Sequence, residues 1–99
     1  MNERIDDKFP KTKFVKQYKE QYGLEKAIMK QLGVVTGELF EVQDAVSRKD
    51  YSHAQEEVID VIASAMGILY LIPGYTKDIS NEKIKIVTEK NAKRGYYDK

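Results

Sequence analysis

The segment from residue 50 to residue 74, DYSHAQEEVIDVIASAMGILYLIPG, constrains the fold more than any other part of the chain. It has the length and periodicity of one helix, which Pro73 and Gly74 are expected to end. Almost every direction around that helix is apolar, so the helix must pack against other helices. The exceptions form one narrow polar strip: His53, Glu57, Asp60 and Ser64, with Glu56 and Gly67 at its edge.

Three other stretches have helical periodicity: residues 11–23, 24–48 and 80–94. Gly23 and Gly95 follow two of them as stop signals, and Ser52 and Ser80 are predicted to cap helix starts. No segment has the pattern of a strand or a repeat, so the predicted fold class is all-α, a small bundle of about four helices. The 99 residues fit a single domain, with residues 1–10 as a flexible N-terminal segment.

The stretch 24–48 carries apolar residues on two faces. One stripe follows steps of three, four and seven residues: Leu24, Ile28, Val35, Leu39, Val42 and Val46. A second stripe lies nearly opposite, at ~100° per residue: Met29, Gly33, Thr36 and Phe40. Such a helix is expected to be buried on both sides, and another copy of the chain is the simplest second partner. We therefore predict that oligomerisation completes the bundle, with close backbone approach at Gly33 and Gly37.

Composition excludes several classes of protein. Lys and Arg number 17 against 16 Asp and Glu, a formal net charge of +1, so a nucleic acid polymer is not an expected partner. The absence of cysteine excludes disulfides and thiolate metal ligands. The start MNERIDDKFPKTKF has no apolar core of the kind a signal peptide carries. The uncharged run from Val61 is broken at Pro73, short of the ~20 residues of a membrane span. We expect a soluble, cytoplasmic protein with no membrane partner.

Two acidic pairs point to a metal site. Glu57 and Asp60 are three residues apart, and so are Glu38 and Glu41 at the margin of the main apolar stripe of the preceding helix. At ~5 Å and an effective dielectric of ~20, each pair of ionised carboxylates costs about 3 kcal/mol. If the two helices bring all four carboxylates together, the carboxylates must take up protons or hold a cation among them. Carboxylates without Cys or His beside them suit Mg²⁺, or Mn²⁺, and Mg²⁺ is usually shared with the phosphates of a substrate.

Other interpretations of these residues carry less weight. A single acidic pair at this spacing is common on solvated helices, so the argument depends on two pairs on consecutive helices. A di-iron bundle needs Glu-x-x-His motifs, but the only histidine, His53, precedes Glu57 and is interpreted as a helix-start residue.

A third group of residues is suited to bind phosphate. In EKNAKRGYY, the cationic group Lys90, Asn91 and Arg94 lies on adjoining faces of the last helix.

These motifs resemble those of a known family. GELFE and the later EEVID resemble the ExxE and ExxD motifs of the MazG-like all-α nucleotide pyrophosphohydrolases, including their short phage-type members. EKNAKRGYY resembles the Lys-Asn…Arg-Gly-Tyr block that follows in many of them. The resemblance covers residues 24–97 and does not extend to the first 23 residues.

The resemblance implies an enzyme that cleaves a nucleoside triphosphate between the α and β phosphates, releasing the monophosphate and pyrophosphate. The implied metal ligands and catalytic residues are Glu38, Glu41, Glu57 and Asp60, with Mg²⁺ as cofactor. The implied phosphate-binding residues are Lys90, Asn91 and Arg94. Family members typically assemble as dimers or dimers of dimers, so the resemblance implies a homodimer or homotetramer, in agreement with the two apolar faces of the segment 24–48. A housecleaning or pool-balancing role would follow.

The same residues leave several roles open. One carboxylate, with Glu41 preferred, is expected to orient or deprotonate the attacking water, while the cationic group stabilises the departing pyrophosphate. Base and sugar preference stay undefined, and a phosphoribosyl-ATP or dUTP pyrophosphohydrolase is a related interpretation. The alternative from another class is a non-catalytic helical interaction module, in which the acidic pairs form salt bridges with Lys90 and Arg94.

Overall fold

The computed structural model describes residues 8–9 and 13–97, and the regular secondary structure in that part of the chain is entirely helical. Its principal elements are α1 (Lys13–Tyr22), α2 (Leu24–Ser47), α3 (Tyr51–Leu71) and α4 (Lys77–Lys93). The predicted all-α fold class is confirmed. A flexible segment was predicted over residues 1–10. Of these residues, all except 8 and 9 lie outside the described part of the chain. None of the described helices has the length and apolar character needed to cross a bilayer.

A tight turn joins α2 to α3 and makes them an antiparallel hairpin. Only residues 48–50 lie between the two helices, and Lys49 adopts the left-handed conformation with φ +61°. The backbone N–H of Asp50 donates to the carbonyl of Ala45 at 3.0 Å. Because the chain reverses in so few residues, this contact defines which positions of α2 and α3 face each other.

The register continues along the hairpin in steps of seven residues. Gln31 Nε2 on α2 donates to the carbonyl of Ser64 on α3 at 2.9 Å. Seven residues further along α2, Glu38 faces Glu57, which lies seven residues before Ser64. Since seven residues make almost two helical turns, these pairs share one face of each helix. A Cβ atom at Gly67 would lie 2.8 Å from Gln31 Nε2, so the helices approach closely here.

The buried line of α2 is rotated from the predicted stripe. Its buried residues are Ala27, Gln31 and Ala45, whereas Leu39 and Val46 of the predicted stripe are 53% and 47% exposed. The prediction was wrong for these two positions, because it ranked faces by hydrophobicity alone. Small side chains at the centre of the contact shorten the distance between helix axes, and the larger apolar residues then lie at its margin.

The apolar core lies at the end of the hairpin away from the turn. Val15 of α1, Ala27 of α2 and Leu71 of α3 form its buried cluster. Tyr70 packs against that cluster, and its hydroxyl donates to the carbonyl of Phe9 at 2.6 Å. This packing holds α1 across the open end of the hairpin and leaves the middle of the α2–α3 contact to polar residues.

Two predicted caps were wrong, although the helices themselves form. Asp50, rather than Ser52, caps α3, and its side chain accepts the backbone N–H of the third helical residue at 3.2 Å. Thr76 caps α4 in the same way at 3.1 Å, so that helix begins before Ser80, which is buried. In both cases the turn ends earlier than the serine, and the first capping residue after the turn is used.

The second apolar stripe of α2 is open in the single chain. Met29 and Phe40 are 66% and 65% exposed. Apart from the adjoining backbone of α2, no atom of the described residues lies within 4 Å of a Cβ atom built at Gly33 or Gly37, so this part of the chain does not make the expected close approach. The predicted homodimer or homotetramer stays a prediction.

Candidate metal centre

Three carboxylates from two helices converge in the middle of the hairpin. Glu38 on α2 and Glu57 and Asp60 on α3 each offer an oxygen, and these oxygens lie within 4.8 Å of one another. We call this group the acidic triad. Glu38 and Glu57 are half-buried and Asp60 is exposed, so the triad opens to solvent on the Asp60 side. The hairpin register and the i, i+3 spacing on α3 together bring these side chains to one point.

Glu38 shows the electrostatic consequence of this convergence. Burial raises the pKa of its carboxyl above the usual value, and the charges of Asp60 and Glu57 raise it further. A hydrogen bond shared with Glu57 and the charge of Glu41 act in the same direction. All these causes favour the protonated form of Glu38 unless a cation compensates the negative charge around it.

Glu41, the fourth predicted ligand, lies outside the triad. Its side chain is exposed, although its charge is near enough to raise the pKa of Glu38. Three residues along a helix turn the side chain by about 60° from Glu38 and move it ~4.5 Å along the axis. On α2 that displacement carries Glu41 towards solvent and towards the interhelical turn.

The His53 ring contacts Glu57, one of the three residues of the triad. Its Nε2 atom lies 3.2 Å from Glu57 Oε1, and its Nδ1 atom lies 3.6 Å from Glu56 Oε2. The residue is in the first turn of α3, as the sequence predicted, but its ring also reaches a carboxylate of the site. The i, i+4 spacing of His53 and Glu57 on the polar strip was the signal for this contact.

Gln31 is the supporting residue that sequence reasoning missed. It is 8% exposed and ties α2 to α3 through its hydrogen bond to Ser64. Its position, seven residues before Glu38, places it on the same face of the helix and was the available signal.

The cationic group forms a separate local unit at the end of α4. Asn91 Nδ2 donates to Tyr97 Oη at 3.3 Å, and the Arg94 guanidinium lies 6.0 Å from the centre of the Tyr96 ring. Lys90 and Arg94 are both exposed. Across residues 8–9 and 13–97, no hydrogen bond or ion pair connects this group to the acidic triad. The salt bridges expected for an interaction module are therefore not formed in this part of the chain.

The donor set fits a hard divalent cation. All three triad ligands are carboxylate oxygens, which suit Mg²⁺, Mn²⁺ or Ca²⁺ rather than zinc. Around octahedral Mg²⁺ with bonds of about 2.1 Å, oxygens on opposite sides are about 4.2 Å apart and adjacent oxygens about 3.0 Å apart. The triad oxygens, which lie within 4.8 Å of one another, would therefore have to move together by up to about 2 Å to close around the ion.

The fold and the site together define a helical hairpin with a triad of carboxylate donors at its centre. No protein-family model, curated protein or solved structure matches this chain. The resemblance to the MazG-like family thus depends on the motif residues themselves and stays a prediction.

Proposed function

We propose that this protein is a Mg²⁺-dependent nucleoside triphosphate pyrophosphohydrolase that converts (d)NTP and water to (d)NMP and pyrophosphate. The observation that carries the proposal is the convergence of Glu38, Glu57 and Asp60 from two helices within 4.8 Å. These are three of the four positions at which the acidic motifs resemble those of the MazG-like enzymes. A housecleaning or pool-balancing role on cellular nucleotides follows from that activity.

The acidic triad would hold the cation, which would neutralise charge on the substrate phosphates. Asp60, on the solvent side, leaves room for phosphate oxygens and water to complete the coordination, as Mg²⁺ sites usually require. Glu41 is exposed beside the triad without belonging to it, which suits a residue that orients the attacking water. Lys90, Asn91 and Arg94 would bind the departing pyrophosphate through charge-assisted hydrogen bonds.

Pyrophosphate release from the eight common ribonucleoside and deoxyribonucleoside triphosphates, with and without Mg²⁺, tests this function. We expect Mg²⁺-dependent release from at least one of them. Glu38→Gln and Asp60→Asn should each lower kcat/KM by at least about 100-fold, because a metal clamp contributes several kcal/mol to transition-state stabilisation. Both variants should keep the helical circular dichroism spectrum.

The matched control is Glu25→Gln, which removes an exposed carboxylate at the start of the same helix. It should leave the rate of pyrophosphate release unchanged. No Mg²⁺-dependent release from any of the eight nucleotides by the wild-type protein would end the proposal.

A further inference from the structure

We infer that His53 is a positioning residue that holds the Glu57 carboxylate in the geometry needed for cation binding. The inference rests on the proposed function and deepens it, because no motif used above assigns a role to this side chain. Its basis is the contact between His53 Nε2 and Glu57 Oε1 at 3.2 Å. The two residues are four apart on the same helix, α3.

Glu57 needs such a contact more than the other triad members do. Its side chain is only 12% exposed, so water cannot solvate the carboxylate freely. It also faces two other carboxylates, Glu38 and Asp60, within 4.8 Å. A donor in contact with the Glu57 carboxylate opposes that repulsion and favours one orientation of a long, flexible side chain.

His53 is itself held in place. Its backbone N–H donates to Asp50 Oδ1 at the helix start, and its Nδ1 atom faces Glu56 Oε2 at 3.6 Å. The ring thus lies between two carboxylates, with Nε2 directed to the one that belongs to the triad. Imidazole carrying a proton on Nε2 is a hydrogen-bond donor at that atom in either charge state.

Within the described part of the chain, the geometry favours His53 as a residue that positions Glu57 over His53 as a metal ligand. The group whose ligand atoms converge consists of Glu38, Glu57 and Asp60, and it does not include His53. Carboxylates that bind metals are commonly oriented by hydrogen bonds from a neighbouring side chain, and loss of that neighbour typically costs about 10–100-fold in metal affinity. The ring of His53 is placed to make such a contact.

The test compares His53→Ala with His53→Gln by titration of the full chain with Mg²⁺ and Mn²⁺, using calorimetry and the shift in melting temperature. His53→Ala should raise the dissociation constant for both ions by about 10–100-fold. The metal-free variant should keep the helical circular dichroism spectrum of the wild type, because the helix cap uses the His53 backbone and not its ring. His53→Gln should restore most of the affinity, since its amide nitrogen can donate to Glu57.

Glu56→Gln is the matched control, because it removes the charge beside Nδ1 but keeps a side-chain oxygen there, and it leaves the Nε2 contact to Glu57. It should bind both ions as the wild type does. An unchanged dissociation constant in His53→Ala would overturn the inference. A selective loss of Ni²⁺ and Zn²⁺ binding that His53→Gln fails to restore would also overturn it, since His53 would then be a nitrogen ligand.

Failure of this inference and failure of the proposed function give different results. Weakened Mg²⁺ binding in His53→Ala with no pyrophosphate release by the wild type would support the positioning role and remove the enzymatic function. Pyrophosphate release with the same Mg²⁺ midpoint in wild type and His53→Ala would support the function and remove the positioning role. Absence of divalent-cation binding by the wild type would overturn both.

Discussion

At the residue scale, Glu38 links the candidate function to the stability of the metal-free protein. Burial and the charges of Asp60 and Glu57 raise the pKa of its carboxyl in the folded state. The folded protein therefore holds this proton more tightly than the unfolded chain, and the resulting stabilisation is present below the unfolded pKa. It is lost as the pH rises through the raised folded pKa, since stability falls with pH wherever the folded state binds more protons.

We predict that Glu38→Gln makes the metal-free protein more stable than the wild type at neutral pH. Glutamine removes the charge and keeps the side-chain volume, so the repulsion from Glu57 and Asp60 disappears. Thermal unfolding in a chelator should show the difference in melting temperature increasing as the pH rises from about 4, near the usual carboxyl pKa, to 7. Saturating Mg²⁺ should then stabilise the wild type and leave the variant unchanged.

The control is Glu25→Gln, whose melting temperature should follow that of the wild type across the same pH range. A Glu38→Gln variant that is less stable than the wild type at pH 7 in chelator would contradict the electrostatic account of the triad.

Among the contacts between helices, the α2–α3 contact depends on Gly67 lying directly against the Gln31 side chain. A Cβ atom at Gly67 would lie 2.8 Å from Nε2 and 3.1 Å from Cδ of Gln31. Gln31 is buried and uses the same Nε2 atom to bind the Ser64 carbonyl. A new methyl group would displace the Gln31 amide and so strain or break that hydrogen bond.

We predict that Gly67→Ala lowers the free energy of unfolding by about 1–2 kcal/mol, because an unmade buried hydrogen bond outweighs the gain in helix propensity. Gln31→Ala combined with Gly67→Ala should recover part of the loss, since the two side chains no longer compete for space. Urea denaturation followed by circular dichroism measures both effects. Equal stability of Gly67→Ala and the wild type would show that Gln31 can move at no cost.

Gly33 and Gly37 of α2 differ from Gly67, because a methyl group added at either position would enter open space. Within residues 8–9 and 13–97, nothing beyond the adjoining backbone of α2 lies within 4 Å of a Cβ atom built at either position. In an isolated chain each change to alanine should therefore stabilise the helix by up to about 1 kcal/mol.

At the scale of the whole molecule, the single chain exposes large apolar side chains on more than one helix. Met29 and Phe40 are 66% and 65% exposed on α2, and Val58 and Ile59 are 45% and 52% exposed on α3. A chain of this size buries only about two-thirds of its unfolded surface by itself. Apolar surface of this kind is typical of interfaces between subunits.

We predict that the protein is a homodimer or homotetramer and that the double change Met29→Ser and Phe40→Ser shifts it to the monomer. Light scattering coupled to size-exclusion chromatography measures the mass directly. Tyr51→Ser is the control, because Tyr51 is 61% exposed but lies at the start of α3, away from the stripe on α2. A wild-type protein that is monomeric at micromolar concentration would remove this prediction, as would a double variant with the wild-type mass.

Local sequence patterns were enough to predict the helices and the residues that carry the chemistry. The spacing of apolar residues and the glycines at helix ends act over a few residues, and they predicted four helices, their approximate limits and the two acidic pairs. The predicted caps at Ser52 and Ser80 were wrong because Asp50 and Thr76 are competing capping residues. Which of them is used depends on where the preceding turn ends.

Which side chains meet depends on how α2 and α3 pack against each other. The left-handed Lys49 turn and the close contact at Gly67 define the register of the hairpin. That register places Glu38 opposite Glu57 and leaves Glu41 outside the triad. It also buries Gln31 where the sequence pattern favoured larger apolar residues. Local propensities act within one helix, but the rotation and offset of two helices depend on all the contacts between them, so the site forms only when the hairpin closes.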